Sequence, residues 1–190
     1  SVLPNRDALQ QPLLQQLAKL ETRLLDLEST SYDGSLTWRL KDLTAKQRES
    51  LTPECSVPFF LRRFGPAFRI QLYLNGWEAG FNSHLSVYIV HIASQVDDPR
   101  DWPIVAEVMI RLVNLKDRRH DFVKTLPIDT TSKQRPTAAE GDFLVCCGEP
   151  KLATLDEFRE RCVKENSCFL QVEIKERRTG STRERRYIVV

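Results

Sequence analysis

The chain has 190 residues, of which 41% are hydrophobic and 28% are charged, a composition typical of globular proteins. Its formal net charge of +2 is too small to indicate a nucleic-acid partner. No run approaches the roughly 18 apolar residues that a membrane-spanning helix requires. The first residues, SVLPNRDALQQPLLQQ, also lack the basic and then apolar pattern of a signal peptide. These observations favour one globular domain with a modest extension.

A heptad pattern of leucines marks the N-terminal segment, residues 7–31. Its members are separated by four and three residues in turn, the spacing of a coiled-coil seam: Leu13, Leu17, Leu20, Leu24 and Leu27. Pro12 suits a first helical turn, so a firm helix is predicted from about that residue to residues 29–31. The helix either folds onto its own domain or pairs with other chains, and the narrow leucine stripe favours pairing. Leucine at every seam position does not fix the number of helices in the coil.

Runs with β-strand character dominate the sequence after Gly34. The candidates are Leu36–Leu40, Phe68–Leu74, Leu85–Ile92, Val105–Leu115, Phe143–Cys147 and Phe169–Ile174. Few helical patterns lie between them, which favours an antiparallel sandwich over parallel βαβ units. In the second run, apolar residues alternate with Arg69, Gln71 and Tyr73, so a polar and aromatic face is predicted on one side of that strand.

The last part of the sequence combines a short helix with a basic tail. The helix is predicted at Leu155–Cys162, where Thr154 and Glu157 have the spacing of a capping box. Residues 177–190 are basic and then apolar. A poorly ordered terminus is the favoured interpretation of this tail, and a weak contact with an anionic membrane is the alternative.

Residues suited to catalysis or metal binding are few and scattered. The three histidines, His84, His91 and His120, lack the i, i+4 spacing of a zinc site. The five cysteines are odd in number and include no C-x-x-C, so reduced thiols in a cytosolic protein are predicted. Cys146 and Cys147 are expected to act as small hydrophobes on the two faces of a strand. A Cys147–His91 hydrolase lacks the context that lowers a thiol pKa, so no enzyme, cofactor or metal site is predicted.

Three consecutive hydroxyl side chains, Thr130, Thr131 and Ser132, precede Gln-Arg-Pro in an irregular segment. Hydroxyls donate to a peptide, or accept from it, without a charge requirement. Their alternative role is local, because they also bond nearby backbone groups and shape turns. The sequence pattern leaves both roles open.

Several motifs, met in the same order, resemble the TNF receptor-associated factors, or TRAF family. A leucine coil ends in SYDG before a first strand that contains tryptophan, and YLNG and SHLSVYIV follow. WPIVAEVMIRLVNL, QRP and the closing strand FLQVEI complete the match, which covers about residues 13–175. The resemblance implies an eight-stranded antiparallel β-sandwich of the TRAF-C or MATH type at residues 32–176. It also implies that the preceding coiled-coil helix assembles a homotrimer.

The same resemblance implies a function. TRAF proteins are cytosolic signalling adapters that bind short linear peptides in receptor tails or in intermediate adapters, and receptors recruit them to the inner face of the plasma membrane. Any ubiquitin-ligase activity would lie in upstream RING and zinc-finger segments outside this chain. One alternative is a MATH module that recognises substrates for the ubiquitin system, against which the leucine coil argues. The other is a structural trimerisation unit with a vestigial groove.

The resemblance finally implies a peptide groove, and the groove residues of the family can be matched to positions in this sequence. The matching positions are Gln71, Tyr73, Trp77, Tyr88, Leu126, Thr130, Thr131, Ser132, Ala139, Glu140 and Gly141. Three of them depart from the family: Gln71 replaces an arginine, Trp77 replaces an acid and Glu140 replaces a serine. Because the charges of the family groove are lost, we expect weaker binding of acidic peptides and a preference for apolar or basic ones.

Overall fold

The computed structural model describes residues 6–49, 51–93, 98–137 and 143–177, which form a long helix followed by two antiparallel sheets. The α-helices of these residues are α1 (Arg6–Ser29), α2 (Leu43–Glu49) and α3 (Leu155–Glu157), the last continuing as a π-helical turn (Phe158–Cys162). The strands are β1 (Ser35–Leu40), β2 (Glu54–Cys55), β3 (Phe59–Phe60), β4 (Ala67–Tyr73), β5 (His84–Ile92), β6 (Val105–Leu112), β7 (Phe122–Asp129), β8 (Phe143–Thr154) and β9 (Cys168–Glu176).

The two sheets enclose one hydrophobic core. The first sheet has the order β1-β9-β6-β7, and the second has the order β2-β4-β5-β8, with β3 also pairing with β4. Buried side chains from both sheets belong to one cluster, which includes Leu36, Ile70, Ile89, Ile110 and Val172. The predicted mainly-β antiparallel sandwich with an N-terminal helix is therefore confirmed. The edge beside β4 is divided into two short pieces, β2 and β3, so nine strands are described where the resemblance implied eight.

Strand β4 has the alternation that the sequence predicted. Ile70 and Leu72 are fully buried, at 0% exposure, whereas Arg69, Gln71 and Tyr73 are partly exposed. Burial of every second side chain is what a strand with one face on the core requires. The polar and aromatic side chains of β4 consequently lie on the outer face of the second sheet.

Prolines explain where the strand predictions fell short. Strand β7, which was not predicted, contains Pro127, and β8, which was predicted to end at Cys147, continues through Pro150 to Thr154. Both strands lie at a sheet edge, where a proline removes no ladder hydrogen bond. The prediction treated these prolines as strand breakers, which holds only for central strands.

The capping box at the start of α3 is confirmed. The Thr154 hydroxyl accepts from the Glu157 backbone N–H at 3.2 Å, and the Glu157 carboxylate accepts from the Thr154 N–H at 3.2 Å. Two N–H groups that have no partner within the helix are thereby satisfied.

Helix α1 leaves its leucine seam in solvent. The side chains of the seam are 50–64% exposed: Leu13, Leu17, Leu20, Leu24 and Leu27. Such exposure is inconsistent with a helix whose seam is folded onto its own domain. The helix also runs through Pro12, so it begins earlier than the residue at which the sequence predicted a firm start.

No helix among residues 6–49, 51–93, 98–137 and 143–177 combines the length and the apolar character needed to cross a membrane.

Gly34 connects the end of α1 to the sandwich, and we expect Gly34→Ala to destabilise the fold. Gly34 has φ +78°, and a Cβ at this position would lie 2.6 Å from the Ile174 carbonyl oxygen. Because of the left-handed backbone and this overlap, we expect the free energy of unfolding to fall by at least about 1 kcal/mol, as measured by urea denaturation. Thr37→Ala, at an exposed position of β1, is the control and should change stability by less than about 0.5 kcal/mol. Equal stability of the two variants would contradict the role of Gly34.

Candidate functional site

A row of four positions crosses the outer face of the second sheet. Cys55 of β2 lies opposite Gln71 of β4. Gln71 in turn lies opposite Tyr88 of β5, which lies opposite Gly148 of β8. Residues directly opposite in an antiparallel pair point to the same face, so we call this row the groove floor. It ends at β8, which is the edge strand of this sheet within the part of the chain that the structure describes.

Three aromatic side chains contact one another beside the groove floor. The Tyr73 and Tyr88 rings meet edge to face, with centroids 5.8 Å apart. The Trp77 ring stacks on Tyr73, with centroids 5.2 Å apart and planes inclined by 24°. Trp77 is 45% exposed, whereas Tyr88 is only 8% exposed. In this aromatic cluster of Tyr73, Trp77 and Tyr88, the indole ring is exposed to solvent and the two tyrosine rings pack beneath it. Such an arrangement is suited to binding a ligand.

Gly148 makes room for the Tyr88 ring. A Cβ at Gly148 would lie 2.1 Å from Cδ1 of Tyr88, closer than any two carbon atoms can pack. A glycine at this place in β8 thus reflects a close side-chain approach rather than a turn. The absence of a side chain lets the Tyr88 ring lie against the β8 backbone.

The turn between β4 and β5 positions Trp77 through a buried serine. Ser86 is 0% exposed, and its hydroxyl accepts from the Trp77 backbone N–H at 2.8 Å and donates to the Pro150 carbonyl at 2.6 Å. Gly76 has φ +76°, and a Cβ there would lie 2.1 Å from the Gly80 carbonyl oxygen. The tight turn and the two hydrogen bonds fix the backbone from which the indole extends.

Glu78 lies beside the aromatic cluster and was not among the site residues predicted from the sequence. Its carboxylate accepts a hydrogen bond from the Tyr88 hydroxyl at 2.8 Å. Its backbone has φ +51°, in the left-handed region that non-glycine residues rarely adopt. Burial, followed by the hydrogen bond to Glu78, raises the pKa of Tyr88 above its ordinary value, and burial also raises the pKa of Tyr73. Both phenols are therefore neutral at physiological pH.

Lys133 occupies part of the β8 edge. Its ammonium group donates to the carbonyl oxygens of Val145, at 2.9 Å, and Cys146, at 3.3 Å. Cys146 is the extra residue of a β-bulge, because Ile89 pairs with Cys147 while Val90 pairs with Val145. A lysine at a sheet edge is a common way to protect it from unwanted pairing.

The three predicted hydroxyl side chains have different environments. Thr130 is 0% exposed, and its hydroxyl accepts from the Ile104 N–H at 2.8 Å. Thr131 is exposed and donates to the Asp129 carboxylate at 2.6 Å. Ser132 is exposed. Thr130 is thus engaged inside the fold, whereas Thr131 and Ser132 lie on the surface.

The remaining predicted site residues lie elsewhere. Leu126 is in β7 of the first sheet, opposite Val108, and packs against the core. It is therefore not part of the groove floor. Ala139, Glu140 and Gly141 lie outside the described residues. The structure brings together Gln71, Tyr73, Trp77 and Tyr88 on one face.

Cys146 and Cys147 behave as core residues rather than as nucleophiles. Burial raises the pKa of Cys146 to about 11 and that of Cys147 to about 12. Thiols with such pKa values stay protonated at neutral pH, and the thiolate is the reactive form. Cys146 belongs to the hydrophobic core, and Cys147 packs against it.

Residues 35–174 match the family model described as the MATH domain. Because this match covers most of the chain, the chain belongs to the MATH-domain family. It begins at β1 and ends in β9, so it includes both sheets and the groove floor.

Within this family, the TRAF resemblance predicted from the motifs is confirmed. The chain is 30% identical over 168 residues to TNF receptor-associated factor 5 of Mus musculus, which covers 84% of the chain and 30% of that protein. It is 26% identical over 162 residues to TNF receptor-associated factor 2 of Homo sapiens, covering 82% of the chain and 32% of that protein. The solved structure of Notothenia coriiceps TRAF5 superposes with a TM-score of 0.80 at 26% identity, covering 94% of this chain and 90% of that one. The chain thus spans about a third of the length of these curated relatives.

Neighbouring threonines provide a test of which hydroxyls are structural. We expect Thr130→Ala to lower the free energy of unfolding by about 1–3 kcal/mol, because it leaves the buried Ile104 N–H without its acceptor. Thr131→Ala, the matched control, removes an exposed hydroxyl and should cost less than about 0.5 kcal/mol. Urea denaturation measures both, and a smaller loss for Thr130→Ala than for Thr131→Ala would contradict this assignment.

Proposed function

We propose that this chain is the peptide-binding and trimerisation part of a cytoplasmic signalling adapter. Its ligands are short extended peptides in the cytoplasmic tails of TNF-receptor-like receptors or in intermediate adapters, and receptor clustering recruits it to the inner face of the plasma membrane. The observation that carries the proposal is the aromatic cluster, exposed on the outer face of the second sheet beside the open edge of β8. The names of the relatives, TNF receptor-associated factors, support the choice of receptor class.

The edge of β8 suggests how the peptide is held. An extended peptide that adds to a sheet edge gains main-chain hydrogen bonds, and pockets for alternate side chains supply specificity. The groove floor and the aromatic cluster lie next to this edge, because Tyr88 is opposite Gly148. A peptide that uses the Val145 and Cys146 carbonyls displaces the Lys133 ammonium group from them. Thr131 and Ser132, which are exposed in the segment leading to Lys133, are the hydroxyls available to the peptide.

The charges of the groove favour apolar or basic peptides. Gln71 provides no positive charge on the groove floor, and Trp77 provides an aromatic surface in its place. Glu140, outside the described residues, adds a negative charge to the segment before β8. An acidic peptide therefore gains little electrostatic attraction here.

The exposed leucine seam of α1 supports assembly through a coiled coil, and the TRAF resemblance supports three chains in it. Coiled-coil pairing removes these side chains from water, and the apolar burial supplies the driving force. A single groove binds a short peptide weakly, whereas three linked grooves that meet clustered tails increase avidity by about 10²–10⁴. Oligomerisation is therefore part of the proposed mechanism.

Tyr73→Ala tests the peptide-binding groove. This variant removes the ring that supports Trp77 and contacts Tyr88, so we expect at least a tenfold loss of affinity, about 1.4 kcal/mol, for the peptides that bind best. Arrays of receptor-tail peptides, with acidic and basic members compared, identify the ligands, and fluorescence anisotropy measures their affinity.

The control for Tyr73→Ala is Tyr32→Ala, which removes a 46% exposed ring that stacks on Phe60, away from the groove. This variant should bind the same peptides with unchanged affinity. Unchanged binding by Tyr73→Ala, or array peptides that bind only when acidic, would oppose the proposed groove.

Charges in the leucine seam test the trimer. We expect sedimentation equilibrium of the intact chain at micromolar concentration to give three times the chain mass of 22.0 kDa. Leu17→Asp together with Leu24→Asp should give the monomer mass, because charges in a seam cannot be buried. The control pair Gln15→Asp and Thr22→Asp places the same residues on the exposed face opposite the seam and should remain trimeric. An intact chain that sediments as a monomer would refute the proposal.

A further inference from the structure

The carboxylate of Glu78 is held at the groove in an unusual way. Glu78 is exposed, yet its backbone has φ +51° and its carboxylate accepts a hydrogen bond from the Tyr88 hydroxyl at 2.8 Å. A non-glycine residue in the left-handed region costs about 1–2 kcal/mol, so the surrounding structure must hold it there. Strain of this kind is concentrated at sites of function.

The surroundings of Glu78 are aromatic. Tyr88 binds its carboxylate, the Tyr88 ring meets Tyr73 edge to face, and Tyr73 carries the exposed indole of Trp77. Burial, followed by the hydrogen bond to Glu78, raises the pKa of Tyr88, in agreement with the direct contact between this hydroxyl and the carboxylate. An aromatic face beside a carboxylate attracts a cation through both groups.

Other charges leave this end of the groove negative. Glu149, next to Gly148 in β8, is 3.5 Å from the ammonium group of Lys124 and is neutralised by it. Arg69 and Lys133 lie further along the outer face of this sheet, where Arg69 is opposite Val90 and Lys133 bonds the Val145 carbonyl. A positively charged ligand group is therefore favoured at Glu78.

We infer that the aromatic cluster and Glu78 form a receptor for an arginine side chain of the bound peptide, an inference that rests on the proposed function. The planar guanidinium stacks on the exposed face of Trp77 and donates to the carboxylate of Glu78. Arginine fits better than lysine, because its planar fork both stacks on an aromatic ring and donates two hydrogen bonds to one carboxylate. The Tyr88 hydroxyl orients that carboxylate through its own hydrogen bond.

A small probe tests the receptor without a peptide. The three tryptophans are replaced by 5-fluorotryptophan in the full chain, and the ¹⁹F signal of Trp77 is assigned with Trp77→Phe. Titration with N-acetyl-arginine amide should move this signal with a dissociation constant about fivefold lower than that of N-acetyl-citrulline amide, which has nearly the same shape and no charge. N-acetyl-lysine amide should bind with intermediate affinity.

Variants of Glu78 complete the test. Glu78→Gln should abolish the difference between the arginine and citrulline probes, and so should Glu78→Gly. The glycine variant loses the hydrogen bond to Tyr88 but relieves the left-handed backbone, so the two effects offset each other and the variant should still fold. Equal affinity of the two probes for the parent chain, or a difference that survives in both variants, would overturn the inference. The probe titration and the peptide arrays test different proposals. If Tyr73→Ala loses binding on the arrays but the two probes bind the parent chain equally well, the proposed function stands and the arginine receptor is rejected.

Discussion

The contact between Gly148 and Tyr88 determines the geometry of the proposed peptide groove. Because Gly148 has no side chain, the Tyr88 ring lies against the edge strand β8 and brings its hydroxyl within 2.8 Å of the Glu78 carboxylate. The same ring meets Tyr73, on which Trp77 stacks. Any side chain at Gly148 would displace Tyr88, and the hydrogen bond and the aromatic contacts would be lost together. One small residue at a sheet edge thus supports both the aromatic cluster and the contact of Tyr88 with Glu78.

The helix alone is only marginally stable, and the sandwich alone is expected to bind peptides only weakly. A helix with about three heptads is marginal in water by itself, and a single shallow groove holds a short peptide weakly. In the proposed trimer, the two parts compensate for each other, because the coil brings three grooves together and clustered ligands stabilise the coil. The tight backbone at Gly34, between Phe60 and Ile174, connects them with little freedom. The proposed adapter therefore responds to the clustering of its ligands more than to the affinity of any one of them.

Periodicity in the sequence predicted the parts of the structure whose side chains repeat regularly. The alternation in β4 and the leucine spacing in α1 are examples, since each repeat is set by local geometry. Edge strand β7 was missed because Pro127 is tolerated only where no ladder bond is needed, which is a property of the whole sheet. The bond of Thr130 to Ile104 joins residues 26 positions apart, and Glu78 depends on a positive φ and on a ring from the next strand. No local pattern encodes such contacts.

Hydrogen–deuterium exchange of the intact chain, with and without the best-binding peptide of the arrays, tests the location of the groove most directly. A peptide that adds to β8 and covers the aromatic cluster should slow amide exchange in residues 71–90 and 143–150. These ranges contain Gln71, Tyr88 and Gly148 of the groove floor, the turn bearing Trp77 and part of edge strand β8. Exchange in β6 and β9 of the opposite sheet should remain unchanged. Slower exchange confined to β6 and β9, with residues 71–90 and 143–150 unaffected, would contradict the account.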